Sequence, residues 1–326
     1  MTKLIDLHLH LDGAISIESA RELARIQDIT IPENDQELLR LMHVSPTCKD
    51  LNEFLEKFAF PCSLIQTPHG LSTAVYNLCE ELKQQGIIYA EIRFAPSKSC
   101  DKGMTQDEAV QAAIKGMEKS SLRAGLILCC MRGDSYEINA ETIRVASKYL
   151  GKGVCAADLA GAEALFKTAD HADMFRLARE LNVPFEIHAG EADGPSSVYS
   201  AIEFGAARIG HGVRSIEDPA LVSLLAEKKI PLMVCPTSNV QTCIAPEISG
   251  LPIREFLNKG IVFTINTDDP SIEGTNLRTE WEKVIQNFNL SDAEIRQIML
   301  NAVESAFCPE ETRAQLRQEI ESAYCC

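Results

Sequence analysis

The chain has 326 residues, 45% of them hydrophobic and 24% charged, with 18 Gly, 14 Pro and a formal net charge of −16. That composition describes a globular protein and excludes collagen-like, mucin-like and intrinsically disordered chains. The acidic balance, unrelieved by any basic run, argues against a nucleic-acid partner, because tracking phosphates needs clustered Lys and Arg.

Short apolar runs rich in Val, Ile, Leu and Phe predict eight strands, at residues 4–10, 87–95, 125–131, 154–158, 184–188, 207–210, 231–235 and 262–267. Helical patterns fall between them, at 109–122, 141–149, 172–181, 219–228 and 253–258. Strands alternating with helices predict parallel βαβ units, and eight such units predict an α/β (β/α)8 TIM barrel spanning 1–326 as one domain. Near-continuous apolar strands fit a sheet covered on both faces. The surplus length has two homes: a helical insertion after strand 1 (11–86) and a helical C-terminal extension with segments at 277–288, 291–305 and 309–323. Ser291 followed by Glu294 predicts a capping box at the middle segment of that tail. No stretch reaches the ~18 apolar residues of a membrane span, and residues 1–10 carry acid and histidine where a signal peptide is apolar. A cytoplasmic location with no membrane partner is therefore expected. The twelve cysteines form no C-x-x-C pair, and the pairs Cys129/Cys130 and Cys325/Cys326 read as buried or terminal thiols.

In a barrel the chemistry gathers where the strands end. His8, His10, Asp158, His188, His211, Asp268 and Asp269 all fall at such positions, whereas His43, His69 and His171 read as solvated surface groups. His8 and His10 alternate with leucines, so a period of two points both imidazoles into the barrel. Two hydrogen-bonded core histidines would satisfy that pattern as well as metal ligands would. Adding His188 and Asp268 across the same barrel mouth gives three imidazoles and a carboxylate, a set suited to a borderline cation such as Zn2+, with Fe2+, Mn2+ and Co2+ as alternatives. Glu191, three residues after His188 in HAGE, is a candidate general acid or a cap of the next helix. His211 in RIGHG stands between glycines that allow a tight turn and expose the ring. Asp268 and Asp269 need separate roles, since adjacent carboxylates in a closed site cannot both be cheaply ionised; an N-cap ahead of Pro270 would account for only one of them.

The ordered set HLHLDGA (8–14), LCCMR (128–132), DLAG (158–161), HAGE (188–191), RIGHG (208–212), CPTSN (235–239) and NTDDP (266–270) resembles the adenosine deaminase family of the amidohydrolase superfamily. The resemblance implies a zinc-dependent hydrolase of purine salvage. It would convert a small purine nucleoside, adenosine or 2′-deoxyadenosine, to the inosine form plus ammonia, with one Zn2+ per chain. By motif it implies His8, His10, His188 and Asp268 as metal ligands and His211 as orienting or deprotonating the attacking water. Glu191 would protonate purine N1, Asp269 would bond N7, the Gly161 backbone would contact N3, and Asp12 with His10 would meet the ribose. Leu51, Phe54, Leu55 and Phe58, at i, i+3, i+4 and i+7, form an apolar stripe that is either an ordinary core face or the family's hydrophobic lid. The short segment 97–105 after strand two resembles microbial rather than animal members, and CPTSN also differs from the animal version of that strand end. The nearest alternative is a sister deaminase acting on adenine or on an N6-modified AMP. Adenine deaminases usually carry Glu where this chain has Asp12, and no Lys/Arg cluster suited to a phosphate is evident. A non-catalytic nucleoside-binding barrel would have been suggested by loss of a ligand or of Glu191, and none is lost. The unrelated zinc deaminases with H-x-E and P-C-x-x-C are excluded, since neither pattern occurs.

Overall fold

The computed structural model describes residues 3–324, so the Cys325/Cys326 pair lies outside the described residues. Eight parallel strands are present: β1 Leu4–His10, β2 Ile87–Phe94, β3 Arg123–Met131, β4 Val154–Ala160, β5 Glu186–Ala189, β6 Arg208–His211, β7 Leu232–Val234 and β8 Phe263–Ile265. They pair in chain order as two four-stranded ladders. Backbone hydrogen bonds join the ladders at both seams: Ala157 N donates to Pro184 O (2.9 Å), Asp268 N to His8 O (2.8 Å) and His10 N to Asp268 O (2.8 Å). The result is a closed (β/α)8 barrel. All seven residues of β1 are buried, as befits a strand with side chains packed on both faces.

β5, β7 and β8 are shorter than the apolar runs predict, whereas β6 keeps its length one residue later. Pro184 and Pro231 lack the N–H a ladder needs, and the strand ends turn sharply: His211 (φ 58°) and Asp268 (φ 66°) adopt the left-handed region that non-glycine residues rarely occupy. Both are candidate site residues, so the turns that end β6 and follow β8 hold candidate side chains in a strained backbone conformation.

The insertion folds as Ile17–Ile26, Asp35–Met42, Leu51–Leu55, Ala59–Ser63 and Pro68–Gln84. Ser16, Asn34, Asp50 and Thr67 cap four of these by accepting backbone N–H bonds. The tail forms Leu277–Phe288, Asp292–Ser305 and Glu310–Ala323, with the Ser291/Glu294 capping box present.

Several expectations need correction. The helix expected over 109–122 is Gln106–Glu118, because the Thr105/Glu108 capping box starts it earlier. The one expected over 141–149 begins at Tyr136, capped by Ser135. A further helix, Pro195–Phe204, lies outside the expected segments; it opens on a proline after Gly194 and closes on left-handed Gly205. His69 is exposed, but His43 and His171 are half-buried rather than solvated. Burial, helped by Arg132, lowers the His171 pKa to about 4.

Candidate active site

His8 and His10 end β1, His188 lies on β5, and Asp268 follows β8 on the neighbouring side of the mouth. Their ligating atoms all lie within 4.8 Å of one another. His8 Nε2 is 3.0 Å and His10 Nε2 3.2 Å from His188 Nε2, while Asp268 Oδ1 is 3.3 Å from His8 Nε2 and 3.4 Å from His10 Nε2. The outer nitrogens of two of these rings are already spoken for: His8 Nδ1 donates to Glu186 (2.5 Å) and His188 Nδ1 to Asp158 Oδ2 (2.9 Å). A proton held on Nδ1 leaves the Nε2 lone pair facing inward, the carboxylate–histidine arrangement of metal sites. Asp268 Oδ1 is buried without a hydrogen-bond partner. Burial works against ionising Asp268, but His211 and His8 outweigh it and hold its pKa well below the usual carboxylate value. Three imidazole nitrogens and an ionised carboxylate therefore fit a divalent cation of the Zn2+ type. His8, His211, Cys235 and Asp268 form a rival cluster. Burial pushes the Cys235 thiol well above its ordinary pKa, which makes it the poorer donor.

The cluster lies on the floor of a cavity of about 530 Å³ that is also lined by Asp12, Gly161, Glu191, His211, Ser238 and Asp269. Glu191 does not cap a helix; the next one starts at Pro195 behind Gly194. Burial, reinforced by Asp268 and Glu163 and opposed by Arg132, raises the Glu191 pKa well above its ordinary value. His211 Nε2 lies 3.7 Å from both Glu191 Oε2 and Asp268 Oδ2. Burial lowers the His211 pKa to about 3, and the Asn239 side-chain amide meets its Nδ1 at 3.1 Å. Asp269 occupies the N-cap position before Pro270, yet its side chain makes no capping bond. Burial, then the charges of Asp268, Asp12 and Glu191, raise its pKa well above the normal range. The two adjacent aspartates are thus driven apart in pKa, which resolves the like-charge conflict at NTDDP. Asp12 Oδ1 and Asp269 Oδ1 are buried polar atoms that find no hydrogen-bond partner among the described residues.

A family model described as Adenosine deaminase matches residues 4–323. This chain belongs to the adenosine deaminase family. The adenosine deaminase of Haemophilus ducreyi is 44% identical over 98% of this chain and 96% of its own length. Among solved structures, an adenine deaminase from Arthrobacter aurescens superposes with a TM-score of 0.89 at 24% identity, over 99% of both chains. An Arabidopsis N6-mAMP deaminase does so with a TM-score of 0.88 at 22% identity, over 98% of both chains. At those identities the structures attest the fold alone. Membership makes the protein an enzyme, a hydrolase acting on a C–N bond.

All the site residues expected for a family member line one cavity or, for His8, lie directly beneath it. Sequence reasoning missed the residues that hold them. Arg93 Nη1 lies 2.9 Å from Asp158 Oδ2 and 2.8 Å from Glu186 Oε1, and its Nη2 donates to Leu7 O (2.8 Å). Arg208 pairs with Glu186 and Glu91 from the next layer down. The available signal was charge inside apolar strands, Glu91 and Arg93 in EIRF and Glu186 in FEIH; a buried ion network is a sign of positioning more than of stability. The stripe Leu51, Phe54, Leu55 and Phe58 also lines the cavity. It is not part of the main core: Leu51 and Phe54 cluster with Ile272 as a separate apolar group, and Phe58 belongs to a 3-10 turn, Glu56–Phe58, rather than to the same helix.

Proposed function

We propose that this protein hydrolyses adenosine and 2′-deoxyadenosine to inosine and 2′-deoxyinosine with release of ammonia, as a cytoplasmic zinc enzyme of purine salvage. The observation that carries the reading is the juxtaposition, in a member of this family, of the His8–His10–His188–Asp268 cluster with a buried Glu191, whose pKa burial raises, at one cavity. His8, His10, His188 and Asp268 would hold one Zn2+ per chain. When bound, the ion supplies Lewis acidity that makes water nucleophilic at neutral pH.

The remaining chemistry belongs to the chain's own side chains. C6 of adenine is a poor electrophile; a proton donated by Glu191 to N1 localises the C=N bond and opens C6 to attack. His211, whose Nε2 lies 3.7 Å from Glu191 Oε2 and Asp268 Oδ2, accepts the proton of the attacking water. The tetrahedral C6 then carries OH and NH2, and a proton passed to the amino group lets ammonia leave. Asp269, whose pKa burial and its acidic neighbours raise, donates to N7 in its acid form. The Gly161 backbone contacts N3, and Asp12 beside His10 accepts from the ribose. Leu51, Phe54, Leu55 and Phe58 act as a lid that keeps water from the purine.

A free base or a nucleotide is the competing substrate. Among the described residues, the two cations lining the cavity are both engaged: Lys98 with Asp134 (2.6 Å), and Arg132 with Phe166 O, Thr168 Oγ1 and His188 O. That leaves a phosphate poorly served and favours an uncharged nucleoside. The test is to incubate the purified protein with adenosine, 2′-deoxyadenosine, adenine, AMP and N6-methyl-AMP, following ultraviolet absorbance and ammonia. Turnover of the two nucleosides is expected; activity on adenine or a nucleotide but not on adenosine overturns the reading, and no activity on any restores the non-catalytic barrel.

A further inference from the structure

The strongest unassigned feature is a buried carboxylate that touches neither the metal cluster nor the cavity floor. Glu163 follows β4, is fully buried, and directs both oxygens at the loop after β5. Oε1 accepts from Gly190 N (2.8 Å) and Ser197 Oγ (2.5 Å); Oε2 accepts from Glu191 N (3.0 Å) and Asp193 N (2.9 Å). The network continues from Ser197 Oγ to Thr168 Oγ1 (2.7 Å) and from Thr168 to Arg132 Nη2 (2.9 Å), which donates also to His188 O (2.6 Å). By contrast, among the described residues no hydrogen bond reaches the Glu191 carboxyl itself, whose contact with His211 Nε2 is at 3.7 Å. The placement of that carboxyl is therefore inherited from the backbone of residues 190–193. Gly190 makes the required bend possible, with φ at +68°.

We propose that Glu163 is the positioning residue for Glu191: its carboxylate clamps the strand-to-helix loop and sets where the acid meets the purine. The inference rests on the acid role given to Glu191 above. Only an ionised carboxylate supplies acceptors for all four donors at once; an amide turns an N–H against at least one of them. A loop released by even about 1 Å costs on the order of 100-fold in a proton transfer that depends on alignment.

The test is a double-mutant cycle on the metal-loaded enzyme with Glu163→Gln, Glu191→Gln and the pair, measuring kcat and KM for adenosine alongside metal content and thermal midpoint. Glu163→Gln is expected to lower kcat about 10- to 100-fold with KM within about 3-fold and full metal content. In the Glu191→Gln background the same change is expected to cost nothing further, because the group it positions is gone. Additive losses, or a fall confined to metal content and thermal midpoint, overturn the proposal in favour of a merely structural Glu163. Glu191→Gln with near-normal kcat overturns the acid role first, and is distinguished by that single variant. Should Glu163→Gln fail to fold, Glu163→Asp replaces it in the cycle: the charge is kept and the reach shortened by one methylene, so kcat must fall while KM holds, and an unchanged kcat counts against the clamp.

Discussion

A methyl group at position 13 would collide with the carboxyl of Asp269, since a Cβ built on Gly13 falls 1.8 Å from Oδ1. Gly210 makes similar room, its Cβ position being 2.8 Å from the His8 ring and 3.2 Å from Glu186 Oε1. Glycines in HLHLDGA and RIGHG are thus spaces for side chains from other strands. Around that space the acids are sorted by environment: Asp268 is held ionised, while Glu191 and Asp269 are pushed towards the neutral form, first by burial. The sign for Glu191 follows directly. Its acid form is abundant below the raised pKa and is lost as pH climbs through it, so kcat/KM should decline on the alkaline side through that ionisation. Glu191→Gln keeps the shape and removes the transferable proton; kcat is expected to drop by about 10²- to 10⁴-fold, and the residual activity should lose that alkaline limb. Steady-state kinetics across pH check both, and near-normal turnover in the variant would sink the assigned role.

The cavity's apolar wall is an element with its own small core. Leu51 and Phe54 pack on Ile272, with Val44, Cys48, Leu55, Phe58 and Ala192 around them, apart from the main cluster that fills the barrel and its helices. Phe58, half-buried, places its ring 6.5 Å from that of His10 and 6.1 Å from that of Phe54. Under the proposed function, truncating it would remove cavity-facing contact more than main-core contact. Phe58→Ala should raise KM for adenosine about 3- to 10-fold, the worth of roughly 1 kcal/mol of lost apolar burial, while shifting the thermal midpoint little. Truncating a barrel-side ring such as Phe256 should instead cost about 3–5 kcal/mol of stability. Were Phe58→Ala to unfold the protein like Phe256→Ala and leave KM alone, the segment would be ordinary core.

At the scale of the molecule, the barrel was legible because buried parallel strands write themselves as continuous apolar runs, and eight of them alternate with helical periods. The candidate ligand cluster was legible for a related reason, since His8, His10, His188 and Asp268 interrupt or end those runs. What was not legible depended on contacts across the barrel. Nothing local in sequence pairs Arg93 with Asp158 and Glu186, or Glu163 with the backbone of Gly190, Glu191 and Asp193; only the folded barrel brings them together. That same closure makes the metal a whole-molecule matter. β1, β5 and the turn after β8 carry the four proposed ligands, so an ion held by them would tie one ladder of the barrel to the other across the seam where Asp268 meets His8 and His10. A ligand that binds only the folded state stabilises it by about 4 kcal/mol when present at a thousand times its dissociation constant. For a chain of this length that is worth about 5 °C in thermal midpoint. Removing the metal with a chelator should abolish deamination and lower the midpoint by that order, and stoichiometric Zn2+ should restore both. The carboxylates behind the ligands sharpen the expectation: Glu186→Gln should weaken metal affinity about 10- to 100-fold by freeing the His8 tautomer, measured by competition with a chromophoric chelator. Full activity and an unchanged midpoint after exhaustive chelation, with no metal detected, would refute the assignment of His8, His10, His188 and Asp268.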